Sequence, residues 1–269
     1  ALESGTHLGI ILHWIRLSLD LRRSLCYHKI MAQIEIKMDI NQDAWNWWQA
    51  CNKISHGVDW KQRIEEPFRL ELAGKDRTAA NSILLPYLEK YYAVHQAELQ
   101  TKLVEAQLLF ATKSQHALDL MAQVTGKPIY RDSFTCFLTT FPRCPYRLEK
   151  GQVWLCALWP AKCYLGTFLH ELQHFQFLYY YASLPELSRL SSTQIDFLKE
   201  ALTVILNDEF LPFMCQKDKG YEIHQGLRAE LKRFWKQNKD FYALILFGAG
   251  WLTKQSGETK ETSAKLPLN

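Results

Sequence analysis

Two histidines and a glutamate in the second half of the chain have the spacing of a metal site. Residues 166–177 contain the pattern His-Glu-x-x-His, which is formed by His170, Glu171 and His174. On a helix, side chains four positions apart lie on the same face, so both imidazoles can reach one metal ion. A zinc ion held in this way lowers the pKa of water to about 7, and Glu171 can accept the proton. The pattern therefore indicates metal-assisted hydrolysis.

A catalytic zinc ion binds three protein ligands and keeps one position open, so the two histidines need a third partner. Glu200 is the best candidate, because its apolar neighbours put it near a buried helix face, where an ionised carboxylate requires a partner. A loop and a capped helix precede it, which is enough chain to fold a second helix across the first. Five other candidates remain open: Glu186, Asp196, Asp208, Glu209 and His224.

The elements that must position these residues begin with a largely helical N-terminal region, residues 31–126. Residues 43–72 indicate short helices, and the apolar stripe in residues 87–124 indicates one long helix or two. Pro86 is expected in the first helical turn, and Gly126 is expected to end the helical run.

The pattern of residues changes after this region, which predicts a second domain at residues 127–252. Helices resume at about residue 165, and residues 191–194 have the pattern of a capping box. The fold class is therefore α+β, with a small, twisted, mainly antiparallel sheet packed on the HExxH helix. Residues 1–30 are predicted to be an extension of uncertain order, and residues 253–269 a frayed polar tail. Three strands are predicted, near residues 128–132, 134–140 and 152–158.

The composition excludes several classes of protein. The chain has 269 residues, of which 48% are hydrophobic, so it is neither disordered nor fibrous. A net charge of +4 is too small to indicate nucleic-acid binding by itself. No stretch reaches the roughly 18 apolar residues of a membrane span. The odd number of cysteines, seven, and the absence of a Cys-x-x-Cys pair predict free thiols in a cytoplasmic protein.

The order of a strand, an HExxH helix and a glutamate on a following helix resembles the gluzincin type of zincin metallopeptidases, in particular their minimal domains. The resemblance covers residues 128–252 approximately, and it implies a zincin-like fold with one zinc ion per chain. It also implies that strand 152–158, including Trp154 and Cys156, is an edge strand that pairs with an extended peptide. The roles that it implies are zinc ligand for His170, His174 and Glu200, and general base for Glu171.

The chain departs from that family one turn after the glutamate ligand. Thermolysin-like gluzincins have an aspartate there, which orients a histidine ligand, whereas this chain has Val204. Asn207 or Asp208 is expected to take that role from a different position. Tyr221 and His224 are candidates for stabilising the oxyanion that forms in peptide hydrolysis.

These observations lead to the expectation of a zinc-dependent metallopeptidase that acts on a peptide or protein substrate. One alternative is a regulatory or interaction module that keeps the zincin fold without turnover. A second alternative is a nucleic-acid-associated protein, for which the tryptophans of residues 45–63 give weak support. Strong salt-dependent binding to DNA would favour that alternative.

Overall fold

The computed structural model of this chain describes residues 32–55, 57–65 and 68–264, and its fold is α+β. The α+β class predicted from the sequence is therefore confirmed. The predicted extension at residues 1–30 lies outside the described residues. Within the described part, no helix is long and apolar enough to cross a lipid bilayer.

The central sheet has four strands in the order β1–β4–β6–β5, and the remaining two strands form a separate hairpin. Strands β1, β4 and β6 run parallel, and only the short β5 runs antiparallel. The strands are β1 (Gln33–Met38), β2 (Ile54–Ser55), β3 (Val58–Asp59), β4 (Ser133–Thr139), β5 (Tyr146–Arg147) and β6 (Gln152–Cys156).

The predicted mainly antiparallel sheet is therefore wrong. Parallel strands need a long crossover, and the N-terminal helices provide it by returning the chain from β1 to β4 in the same direction. The predicted strand at residues 128–132 is also wrong. There the backbone N–H of Tyr130 donates to the side-chain oxygen of Gln176 at 3.0 Å, so a helix side chain satisfies it instead of a neighbouring strand.

In the described part of the chain, helices pack on both faces of this sheet and on one another. They are α1 (Ile40–Cys51), α2 (Phe68–Leu72), α3 (Arg77–Val94), α4 (Gln96–Thr125), α5 (Tyr164–Tyr180), α6 (Ser192–Leu202), α7 (Leu206–Glu209), α8 (Gln225–Gln237) and α9 (Phe241–Ala264). Helix α9 continues to Ala264 through much of the predicted frayed tail.

The predicted helical run at residues 87–124 is two helices that meet at His95. Helix α3 begins earlier than expected because the carboxylate of Asp76 accepts a hydrogen bond from the backbone N–H of Ala79. Pro86 consequently lies inside α3, and its predicted place in the first turn is wrong. Gly126 ends α4, as predicted, with its N–H bonded to the last carbonyls of the helix.

Helices α4 and α5 pack on one face of the sheet through aromatic contacts. The ring of Phe168 on α5 lies 5.5 Å, between centroids, from both Phe110 on α4 and Phe134 on β4. Such edge-to-face pairs contribute about 0.5–1.5 kcal/mol each beyond the burial of their area. This packing fixes the height and rotation of the HExxH helix relative to the sheet.

Helix α1 covers the other face of the sheet and is anchored there by a buried carboxylate. Asp43 accepts hydrogen bonds from the hydroxyl of Thr139 at 2.6 Å, from the hydroxyl of Thr140 at 2.8 Å and from Tyr92 at 3.1 Å. Burial raises the pKa of Asp43 to about 6, although these hydrogen bonds oppose the shift. The anchor therefore ties α1 to the end of β4.

The tryptophans of the N-terminal region take part in the same packing. The ring of Trp45 lies 4.6 Å from that of Trp154 on β6. The indole N–H of Trp47 donates to Thr140, and that of Trp48 donates to the carbonyl of Lys75. These contacts give three of the four tryptophans of residues 45–63 a place in the packing, and the fourth, Trp60, is buried.

A disulfide joins Cys163, which directly precedes α5, to Cys215. The prediction of free thiols is therefore wrong for these two cysteines. The error arose because the two residues are 52 positions apart and only the fold brings them together. Four further cysteines, Cys51, Cys136, Cys144 and Cys156, are free thiols.

Candidate metal centre

Helix α5 presents the HExxH residues to a cleft while its other faces are buried. Leu169, Leu172 and Phe175 are fully buried in the core that this helix shares with α4 and the sheet. His170 and Glu171 line the cleft. The sequence sets this orientation, because the apolar side chains and the HExxH residues occupy different faces of one helix.

Helix α6 brings the third residue to the two histidines. Ser191 and Gln194 form the predicted capping box, which fixes where α6 begins. At the other end of the helix, Glu200 is 6% exposed and lies against both imidazoles. Its carboxylate oxygens are 3.3 Å from Nε2 of His174 and 3.8 Å from Nε2 of His170.

The geometry and chemistry of this group fit a zinc ion. Two ligands of a tetrahedral zinc ion, each about 2.0–2.1 Å from the metal, are about 3.3 Å apart, which is close to the separations observed here. The nitrogen and oxygen atoms of His170, His174 and Glu200 all lie within 4.8 Å of one another. Two imidazoles and one carboxylate are a ligand set of catalytic zinc sites.

Asp218, which the sequence did not indicate, lies beside the ring nitrogen of His170 that points away from Glu200. Its carboxylate lies 3.4 Å from Nδ1 of His170, so the other ring nitrogen faces Glu200. The same carboxylate accepts a hydrogen bond from Thr203 at 2.6 Å and pairs with Arg228 at 3.3 Å. A carboxylate behind a metal-binding histidine fixes the orientation of its ring and makes it a stronger ligand.

Asn207 holds Asp218 in place through the backbone. Its side chain accepts from the N–H of Asp218 at 2.7 Å and donates to the carbonyl of the same residue at 2.8 Å. Asn207 thus supports the centre indirectly, whereas Asp208 is exposed on α7 and is placed away from it. The expected supporting role fits Asn207 and not Asp208.

The four side chains of the centre influence one another strongly. Burial alone would lower the pKa of His170, but the carboxylates of Asp218 and Glu200 raise it well above its usual range. Burial lowers the pKa of His174 to about 4, so this imidazole is neutral at pH 7, which is the form that binds a metal. Burial would raise the pKa of Glu200, yet its interactions with His174 and His170 and the positive charge of Lys199 hold it well below its usual range.

Glu171 is the carboxylate that is suited to proton transfer. It is 7% exposed, and no residue in the described part of the chain donates a hydrogen bond to it. Burial raises its pKa to about 7, and the nearby Glu200 contributes to the increase. A carboxylate with a pKa near neutral pH can both accept and release a proton under the same conditions.

The cleft beside these residues has a volume of about 1170 Å³. Both predicted oxyanion candidates line it, together with His170, Glu171 and Arg143. Burial raises the pKa of Tyr221, with further increases from Glu200 and Glu171, so its hydroxyl is a proton donor at neutral pH. His224 is buried, with its ring 4.4 Å from the ring of Phe197.

The remaining third-ligand candidates have other partners. Asp196 pairs with Lys199, and Glu186 accepts a hydrogen bond from Tyr242. Glu209 accepts from the indole of Trp235 at 2.8 Å. The structure therefore brings Glu200, and none of these three residues, to the two histidines.

The interpretation of strand β6 as a substrate-binding edge is wrong. Strand β5 pairs with its outer side, and the N–H of Trp154 donates to the carbonyl of Pro145 at 2.9 Å. The Trp154 side chain is fully buried against α1. The backbone N–H of Cys156 interacts with the sulfur of Cys144. Strand β5 is the free edge of the sheet at the cleft, because the chain between β4 and β6 folds back and forms a hairpin in which β5 pairs with β6.

Comparisons of this chain with protein-family models, with curated proteins and with solved structures gave no significant match.

Proposed function

We propose that this protein is a zinc-dependent metallopeptidase with a site similar to that of the gluzincins. One observation carries the proposal. His170, His174 and Glu200, from two helices, meet beside Glu171 at a cleft. The cleft volume of about 1170 Å³ exceeds the roughly 300–1,000 Å³ of small-molecule pockets, which favours a peptide segment as the substrate.

The proposed ligands are His170, His174 and Glu200, with one zinc ion per chain. When bound, the zinc ion supplies Lewis acidity, which polarises the scissile carbonyl group and acidifies water. Glu171 accepts a proton from the attacking water and later delivers it to the leaving amine. The hydroxyl of Tyr221 donates a hydrogen bond to the developing oxyanion, and Asp218 keeps the ring of His170 in its binding orientation.

Metal analysis of the purified protein tests the proposal. We expect about one zinc ion per chain by inductively coupled plasma mass spectrometry. The variants His174→Ala and Glu200→Ala should lose the metal, because each removes one of three ligands. Asp208→Ala is the matched control and should retain it, since this carboxylate is exposed on α7. A folded protein that does not take up zinc at neutral pH would refute the proposal.

A catalytically silent module with the same zinc site is the competing function. The buried Glu171, with its raised pKa, favours turnover, because a silent module has no need to bury an ionisable group there. Hydrolysis of a mixture of quenched peptides by the zinc-loaded protein, and its loss in Glu171→Gln, separates the two. The cytoplasmic location remains a prediction, and the Cys163–Cys215 disulfide favours an oxidising compartment instead.

A further inference from the structure

Arg143 is a buried cation in the wall of the cleft. It follows β4 in the loop that leads to β5, and it is only 8% exposed. One of its five N–H groups donates to the side-chain oxygen of Asn46, at 3.3 Å. No carboxylate in the described part of the chain forms an ion pair with it. The guanidinium group therefore keeps most of its hydrogen-bonding capacity.

The other buried cations near the centre differ from Arg143 in this respect. Lys199 pairs with Asp196 at 2.7 Å and with Glu200 at 3.1 Å, and Arg228 pairs with Asp218 at 3.3 Å. Burying a charge without a partner costs several kcal/mol, so buried cations are normally paired. An unpaired guanidinium group at the wall of a cleft has the chemistry expected of a residue that pairs with a ligand.

The surroundings of Arg143 strengthen this interpretation. Lys53 lines the same cleft, and burial and the positive charge of Arg143 both lower its pKa. Arg143 and Lys53, which have no ion-pair partner among the described residues, thus line the same cleft close enough to repel each other. Glu171 lines the cleft as well, within the electrostatic range of Arg143. A ligand group bound at Arg143 therefore lies in the same cleft as the proposed general base.

We propose that Arg143 binds a carboxylate of the substrate, so that the enzyme selects peptides with a carboxylate close to the scissile bond. Arginine suits this role because its planar group makes two parallel hydrogen bonds to a carboxylate. The carboxylate has two sources, which are the C-terminus of a peptide and the side chain of aspartate or glutamate. The first makes the enzyme a carboxypeptidase, and the second an endopeptidase with an acidic preference. This inference deepens the proposed function and rests on it.

Peptide binding, measured by isothermal titration calorimetry, tests the proposal without turnover. The full-length Glu171→Gln protein is titrated with three pentapeptides that have neutral side chains except where stated. The first has a free C-terminal carboxylate, the second is amidated, and the third is amidated and contains one glutamate. We expect one carboxylate-bearing peptide to bind at least about tenfold more tightly than the neutral amide. The peptide that does so identifies the source.

The variant Arg143→Gln should remove this preference, and Arg143→Lys should reduce it, because lysine keeps the charge without the two-pronged geometry. Arg63→Gln is the matched control. Arg63 lines the same cleft but is exposed, and its charge stacks on Trp60. If both glutamine variants reduce the preference for a carboxylate-bearing peptide equally, the overall positive charge of the cleft is responsible and the proposal is wrong. Equal binding of all three peptides to the Glu171→Gln protein that keeps Arg143 also overturns the proposal, even if Arg143→Gln does not fold.

The same titration with chelator-treated protein separates this proposal from the zinc proposal. A carboxylate preference that depends on Arg143 should persist without zinc, since the guanidinium group acts as the partner. If the preference disappears with the metal, the carboxylate binds the metal and the role of Arg143 is refuted. A failure of zinc binding with an intact Arg143-dependent preference would refute the proposed peptidase but leave the carboxylate site established.

Discussion

Removal of the Cys163–Cys215 disulfide is expected to destabilise the protein substantially. The bond closes a loop between residues 52 positions apart. On the chain-entropy model, restricting a loop of this length in the unfolded chain stabilises the fold by about 4 kcal/mol at 25 °C. For a chain of this size, that corresponds to a decrease in melting temperature of about 8–16 °C. The double variant Cys163→Ala/Cys215→Ala should show this decrease.

Removal of the disulfide should affect zinc binding less than it affects the melting temperature. His170, His174 and Glu200 lie on α5 and α6, whose apolar side chains are buried in the core of the protein, and the disulfide is attached only at the residue before α5. The double variant should therefore keep its zinc below its own melting temperature. Thermal unfolding followed by circular dichroism, together with metal analysis of the same sample, measures both quantities.

A reductant provides the control for the disulfide experiment. It should lower the melting temperature of the parent protein towards that of the double variant, and it should leave the variant unchanged. Alkylation without reductant, followed by peptide mapping, should leave Cys163 and Cys215 unmodified in the unfolded parent protein. Alkylation of both residues under these conditions, or a change in melting temperature below about 2 °C, would contradict the reasoning.

Three further predictions follow from the centre and from the α1 anchor. Glu171→Gln should retain one zinc ion and the full melting temperature, while peptide hydrolysis should fall below detection because an amide does not accept the proton. Residual turnover above a tenth of that of the parent protein would exclude Glu171 as the base. Asp218→Asn should weaken zinc binding by about 10–100-fold in a chelator competition, and unchanged affinity would show that the carboxylate does not support His170. Asp43 has a pKa raised to about 6 in the folded protein, so its contribution to stability is largest at low pH and is lost as the pH rises through 6. The free energy of unfolding should decrease by about 3 kcal/mol in total for this reason. Between pH 4 and pH 7.5, urea unfolding should show a larger loss of stability in the parent protein than in Asp43→Asn, and identical pH dependence of the two proteins would contradict the reasoning.

Local patterns in the sequence were sufficient to predict the elements of the centre. The HExxH residues and the apolar side chains of α5 repeat with the period of a helix, so the helix and its exposed face followed together. The capping box at Ser191 fixed the start of α6, and the apolar neighbours of Glu200 indicated that its carboxylate needed a partner. Contacts within one helix, or between two sequential helices, determine these features.

Asp218 could not be predicted from the sequence because it lies in an irregular segment without periodicity. Its position depends on contacts with distant residues, including Asn207 and Arg228. One local signal was present. Gly220 has a left-handed φ of +62°, and its N–H donates to the Asp218 carboxylate at 2.9 Å, so that residues 218–220 form a turn in which the aspartate side chain bonds the backbone two residues later. A Cβ atom at Gly220 would lie 2.7 Å from the side chain of Arg228, so the close approach also requires glycine.

Strand β1 was missed although its pattern was visible. Ile34, Ile36 and Met38 alternate with polar residues, which is the period of a half-buried strand. The direction of the sheet had no such signal, because the residues of a strand do not specify which distant strand becomes its neighbour. The expectation of an exposed β6 failed for the same reason, since it required knowledge of where β5 lies.

The pairing of β1 with β4 constrains the order of events during synthesis. Gln33 pairs with Ser133, so strand β1 leaves the ribosome about 100 residues before its neighbour. At about 5–20 residues per second, β1 waits for roughly 5–20 seconds with its hydrogen-bonding groups unpaired. Helices α3 and α4 can form during this interval because their contacts are local. Until β4 is made, the nascent chain exposes the unpaired edge of an apolar strand to other proteins. A chaperone that binds such edges would therefore bind at β1.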